Sequence, residues 1–256
     1  YVYVRSYCGG TDYSSWTSSY SFATVCGSIT LLPWSENFDA MSSIGNSAIP
    51  SCWKIESGSG TPWSSGNAAS ITQNDPSSSP YYIYCNYSPT ATEKYLITPG
   101  FSLTAGTSYD FRFKYAGDGY SGWTADVKYN TSQTGTGSSF YANFISSTTT
   151  TSATYTEVKT TIVPSATTTY YFIIRVNNTA SPYNLGFDDF SLSLSPAPVV
   201  TVNATSGPAA YAGYQSVKSA FDAINAGTHN GDVTVTVGNI DNQTLTETAQ
   251  SQLNKS

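Results

Sequence analysis

Tyr109-Asp110-Phe111-Arg112-Phe113-Lys114-Tyr115 alternates aromatic and charged side chains without a break. Successive side chains of a strand point to opposite faces. This run therefore buries one aromatic face and shows water one charged face, as a strand covered on one side does. Working outward, Tyr170-Tyr171-Phe172-Ile173-Ile174-Arg175-Val176 is more continuously apolar, the pattern of a central strand. Further strand candidates are Trp34–Phe38, Cys52–Ile55, Ala69–Thr72, Tyr81–Tyr84, Lys94–Ile97, Ala125–Tyr129, Thr154–Ile162 and Gly186–Leu194. No amphipathic helix interrupts them. The reading is all-β, a two-sheet jelly-roll β-sandwich over residues 31–196.

Composition supports this reading. Only 10% of residues are charged, while 14% are aromatic. Disordered chains lack aromatic residues, so the Ser/Thr-rich texture is that of a folded β protein. The net charge is −6, with ten Lys and Arg in all. Such a chain has no basic footprint for nucleic acid or an anionic membrane. No run of apolar residues is long enough for a transmembrane helix.

The ends differ in texture from the middle. Residues 1–30 hold strand-like runs at Tyr1–Tyr7 and Tyr20–Thr24, joined through Gly9-Gly10 and a polar stretch. Leu31-Leu32-Pro33 reads as a linker. After Pro196-Ala197-Pro198, Val199–Ala204, Asp232–Val237 and Thr244–Thr248 read as strands. Gln215–Ala226 carries Val217, Ala220, Phe221 and Ile224 at helical spacing and is stopped by Gly227, so it reads as an amphipathic helix. The chain is expected to be a piece of a longer secreted, extracellular or cell-surface protein.

Several motifs occur in a familiar order: Pro33-Trp34-Ser35-Glu36-Asn37-Phe38-Asp39, Ile49-Pro50-Ser51-Cys52-Trp53, Tyr95-Leu96-Ile97-Thr98-Pro99-Gly100-Phe101, Phe111-Arg112-Phe113-Lys114-Tyr115 and Gly186-Phe187-Asp188-Asp189-Phe190. This order resembles the cleaved-adhesin and MAM-like (choice-of-anchor J) jelly-roll domains of surface proteins from Bacteroidetes-type bacteria. The resemblance implies a jelly roll with adhesive or carbohydrate-binding function. The family's acidic loop after the Trp is absent, and residues 56–68 are Gly/Ser-rich instead. Residues 1–30 resemble the last strands of a fibronectin type III domain. Residues 197–256 look like the entry cap of a right-handed parallel β-helix.

Two acidic segments bracket the middle domain. Alternation places Glu36 on the face of Phe38, and Asp188 on the face of Phe190, Leu192 and Leu194. An inward carboxylate needs a partner. If the first and last strands lie side by side, Glu36 and Asp188 converge, with Asp39 or Asp189 adding oxygens. A hard cation such as Ca²⁺ suits that donor set, and the family resemblance implies the same structural calcium site.

The four cysteines, Cys8, Cys26, Cys52 and Cys85, form no C-x-x-C pair, and an even count in such a chain points to disulfides in an oxidising compartment. Three pairings are open, with Cys8–Cys26 and Cys52–Cys85 the most economical.

For ligand binding, the loop Gly117-Asp118-Gly119-Tyr120-Ser121-Gly122-Trp123 offers Tyr120 and Trp123, and Trp63 stands beside Pro62 in a Gly/Ser stretch. Aromatic faces stack on sugars and other apolar ligand faces. The only histidine, His229, reads as an exposed turn residue, so no Ser–His–Asp site is expected. The expected function is non-catalytic adhesion or carbohydrate binding, with glycans or cell-surface ligands as partners and neighbouring modules or copies in a surface fibre. The alternatives are an accessory module of a secreted hydrolase and a structural filament subunit.

Overall fold

A computed structural model describes residues 3–18, 26–58, 62–69, 75–89, 93–179 and 182–238. The chain divides into two compact units, Tyr1–Leu194 and Ser195–Ser256. The first begins with a hairpin, β1 (Tyr7–Gly9) and β2 (Asp12–Tyr13). There follow β3 (Trp34–Glu36), β4 (Gly45–Asn46), β5 (Lys54–Ser57), β6 (Trp63–Gly66), β7 (Tyr82–Asn86), β8 (Lys94–Ile97) and β9 (Phe101–Leu103). The longer strands are β10 (Tyr109–Ala116), β11 (Trp123–Asn130), β12 (Ser139–Ile145), β13 (Thr156–Ile162), β14 (Thr168–Asn178) and β15 (Asn184–Leu194).

These strands make two antiparallel sheets. One runs β13-β10-β15-β7-β6-β4, with β3 also paired to β15. The other runs β12-β11-β14-β8-β5, with β9 also paired to β14. The layers bury a common aromatic core. Phe111 of the first sheet stacks on Phe172 of the second at 4.2 Å between centroids. Phe113 stacks on Phe190 within the first sheet, and Trp53 meets Phe38 and Phe190 edge-on. The alternation of 109–115 is realised: Phe111 and Phe113 are fully buried, while Arg112 and Lys114 reach ion pairs on the outer face.

Six strands sit where the sequence reading placed none, two of them Asp12–Tyr13 and Tyr211–Tyr214. Trp63–Gly66 is a buried strand inside the Gly/Ser-rich stretch; Gly45–Asn46, Phe101–Leu103 and Ser139–Ile145 complete the set. Of the expected strand Ala69–Thr72, only Ala69 is among the described residues, and Tyr20–Thr24 and Thr244–Thr248 lie outside them.

The expected cysteine pairing is corrected. Cys26 is bonded to Cys52, with Cα atoms 5.5 Å apart. Cys8 is exposed and Cys85 buried, both as free thiols. Cys85 faces the core from β7, opposite Leu185 of β15, which commits it to packing.

The second unit holds β16 (Val200–Ser206), β17 (Tyr211–Tyr214), helix α1 (Val217–Asn225) and β18 (Asn230–Val237). Its sheet order is β17-β16-β18, antiparallel throughout. The helix starts where Ser216 accepts a bond from Ser219 N–H, and buries Ala220 and Ile224 against Val200 and Val202. Parallel coils of a β-helix are not found among the described residues. His229 is corrected from an exposed turn residue to a fully buried one: Nδ1 lies 2.7 Å from Ala209 O and Nε2 lies 2.6 Å from the Tyr214 hydroxyl. Among the described residues, no helix is long and apolar enough to cross a membrane.

Candidate functional site

The aromatic loop after β10 separates its two candidate side chains. Trp123 begins β11, and its alternation with Ala125 and Val127 turns it into the core, where it is fully buried. Tyr120 stays in solvent, 53% exposed. Trp63 is fully buried as well, against Phe187. Neither indole is available to a ligand, which corrects the expectation for Trp63 and Trp123: each lies on the inward register of a strand rather than on a loop.

Tyr120 has a partner that the sequence reading missed. Tyr183, 55% exposed, precedes β15 and meets Tyr120 edge to face with centroids 5.4 Å apart. The pair is held from below by Asp118. Its Oδ1 accepts from Tyr120 N–H at 3.1 Å and from the Thr151 hydroxyl at 3.2 Å. Its Oδ2 accepts from the N–H groups of Tyr183 and Asn184. One nearly buried carboxylate thus ties three loops together, and hydrogen bonds to an ionised acceptor are the stronger kind.

The surrounding backbone is equally well tied. Gly117 N–H donates to Ser152 O, Thr151 N–H to Tyr120 O, Gly122 N–H to Ser147 O and Tyr87 N–H to Tyr183 O. A Cβ on Gly117 would come within 2.0 Å of the Thr151 hydroxyl oxygen, so only glycine lets that loop close. Gly119 adopts φ +84°, a conformation that costs other residues strain. The two tyrosines are therefore presented by a fixed scaffold. No Lys or Arg occurs in 117–122, 146–152 or 179–184. A signal for Tyr183 does exist in the sequence: Ser181-Pro182-Tyr183-Asn184 is a turn-type stretch ending in an aromatic, like Gly119-Tyr120.

The bracketing acids behave differently from expectation. β3 does lie beside β15, with Glu36 opposite Phe190. But β15 carries a bulge. Its pairing with β10 slips between Arg112↔Ser191 and Lys114↔Asp188, and Asp189 takes φ +51°. The bulge changes the phase, so that Leu185 and Phe187 before it, and Phe190 and Leu192 after it, all reach the core. Asp188 is left on the outer face with Lys114 instead of on the face of Phe190.

There Asp188 is fully buried beneath the segment 77–78. It accepts from Ser78 N–H at 2.9 Å and Asp189 N–H at 2.8 Å. Burial pushes its carboxyl up to about 7 against the pull of those donors. Burial also works to raise Asp189, but Lys114 at 2.9 Å and the Ser77 hydroxyl outweigh it and hold that carboxyl below its ordinary range.

Glu36 turns back to accept Phe38 N–H at 2.8 Å, and burial, with the neighbouring Asp39 charge, raises its carboxyl. Asp39 accepts from Tyr81 N–H and Asn37 Nδ2. Among the described residues, no three acidic, His or Cys side chains converge as a metal-binding group. Glu36, Asp39 and Asp188 each accept a backbone N–H.

No protein-family model matches the chain, and no curated protein matches it. Solved structures similar to it include the K2 cleaved adhesin domain of Lys-gingipain, 17% identical over 64% of this chain and 99% of that one, with a TM-score of 0.48. The K1 cleaved adhesin domain of Lys-gingipain from Porphyromonas gingivalis W83 is 18% identical over 64% and 98%, at 0.46. TmCBM61 in complex with beta-1,4-galactotriose is 14% identical over 57% and 90%, at 0.41. Similarity of this degree assigns neither a family nor a ligand to this chain.

Proposed function

We propose that the first unit is a non-catalytic module for adhesion or carbohydrate binding, and that it takes an uncharged, hydroxyl-rich ligand on the Tyr120–Tyr183 pair. The observation that carries this is the pair itself: two half-exposed rings in edge contact, fixed through their own backbone N–H groups to one buried carboxylate. Aromatic rings with a polar tip bind the C–H faces of sugars while their hydroxyls remain free to bond. A site that is already rigid loses little entropy on binding, which favours affinity from few contacts.

Charge selects among glycans. With no cation in the three loops and a net charge of −6, sulfated or uronic sugars are repelled and neutral ones are not. The buried, hydrogen-bonded His229 and the engagement of Asp188 and Glu36 with backbone donors support a binding role over catalysis. A screen of the purified chain against neutral and anionic glycans tests the reading. Retention by neutral glycans is expected; binding confined to anionic ones contradicts it.

A further inference from the structure

We propose that Lys94 and Asn178 are joined by an intramolecular isopeptide bond that covalently staples β8 to β14. Lys94 lies on the inward face of β8, opposite Val176 of β14, and is fully buried. Asn178, also on the inward face of β14, is 3% exposed. Lys94 Nζ stands 2.5 Å from Asn178 Oδ1. That is closer than an ordinary N–H···O bond.

The surroundings suit a nucleophilic amine. Among the described residues, no carboxylate pairs with Lys94, although an ammonium buried without a counter-charge is very unfavourable. Its side chain lies instead over the Trp123 ring, with Nζ 5.5 Å from the centroid. Burial lowers the Lys94 pKa, with Cys85 acting weakly in the other direction. The neutral form, which is the nucleophile, gains accordingly.

Trp123 is the cross-strand neighbour of Asn178 and its indole is fully buried. Its Nε1–H is buried without an acceptor. Asn178 is held in place by its Nδ2–H donating to Ser88 O at 3.0 Å.

In the reaction, the Lys94 Nζ lone pair adds to Cγ of Asn178 and forms the new C–N bond. The bond from Cγ to Nδ2 then breaks. The proton lost from Nζ passes to the departing nitrogen, which leaves as ammonia. The step is a redox-neutral acyl transfer, so it consumes no oxidant, and the product is a secondary amide with no buried charge.

The test is the intact mass of the purified, denatured and reduced chain, followed by tandem mass spectrometry of a digest. The expected result is a mass short of the sequence mass by one ammonia, and a branched peptide linking residues 94 and 178. Lys94→Met and Asn178→Ser should each restore the sequence mass. A full-mass wild-type chain with a free Lys94 peptide overturns the proposal. So does a deficit that persists in Lys94→Met, which would place the loss at a succinimide such as one from Asn230-Gly231. The branched peptide is read directly on the wild-type chain, so its presence or absence decides the proposal without any variant having to fold.

Discussion

Tyr120 and Tyr183 owe their contact to a single carboxylate: Asp118 accepts the backbone N–H of both, and their rings meet edge to face at 5.4 Å. The exposed pair is thus a property of a buried residue beneath it.

Removing that residue should loosen the loops. Asp118→Ala leaves the N–H groups of Tyr120, Tyr183 and Asn184 without their acceptor. A loss of about 2–4 kcal/mol is expected, read as a fall in the urea midpoint. Asp118→Asn, which keeps the acceptor oxygen at one position, should cost less. Equal stability of Asp118→Ala and wild type would show that the brace is unimportant.

Asp188 gives a pH dependence with a definite sign. Its native carboxyl is raised from 3.8 to about 7, so the native state holds the proton more tightly than the unfolded chain. Its contribution to stability is full below about pH 4, and is lost as pH rises to about 7. The ionised form is disfavoured by on the order of 4 kcal/mol. Asp188→Asn should therefore be the more stable protein at pH 8, with the advantage shrinking toward pH 4, in denaturant titrations at both values. An advantage independent of pH would contradict the assignment.

Thiol chemistry checks the corrected pairing. In the native protein a thiol reagent should modify Cys8 and spare buried Cys85, which becomes reactive on unfolding. Reducing Cys26–Cys52, which closes a loop with a sequence separation of 26, should cost about 3 kcal/mol. Rapid native labelling of Cys85 would speak against its place in the core.

For calcium, the arrangement of Glu36, Asp39 and Asp188 predicts an unchanged melting midpoint on adding a chelator, since each carboxylate already accepts a backbone N–H. A fall of several degrees, restored by Ca²⁺, would require these side chains to regroup.

The sandwich was legible because a period of two survives in Tyr109–Tyr115, where Tyr109, Phe111 and Phe113 join the core and Tyr115 packs against it half-buried. It failed at Asp188 for a local reason: the positive φ of Asp189 inserts one residue, and alternation cannot be carried across a bulge. Trp63 was misread because Ser64, Ser65 and Gly66 look like a loop. Yet they form a strand whose hydroxyls are satisfied within the sheet layer, Ser64 donating to Asn46 and Ser65 accepting from Gly45 N–H. Tyr120 could be found from its glycines. Tyr183 could not be paired with it, because their meeting depends on how two distant loops close at one end of the sandwich.

The most direct measurement of the central claim is the affinity of wild type, Tyr120→Ala, Tyr183→Ala and the double variant for one neutral glycan retained in the screen, by titration calorimetry. Each single change should weaken binding by about 1–2 kcal/mol, roughly five- to thirtyfold, and the double change should abolish measurable binding while the melting midpoint stays close to wild type. Unchanged affinity in the double variant would contradict the account.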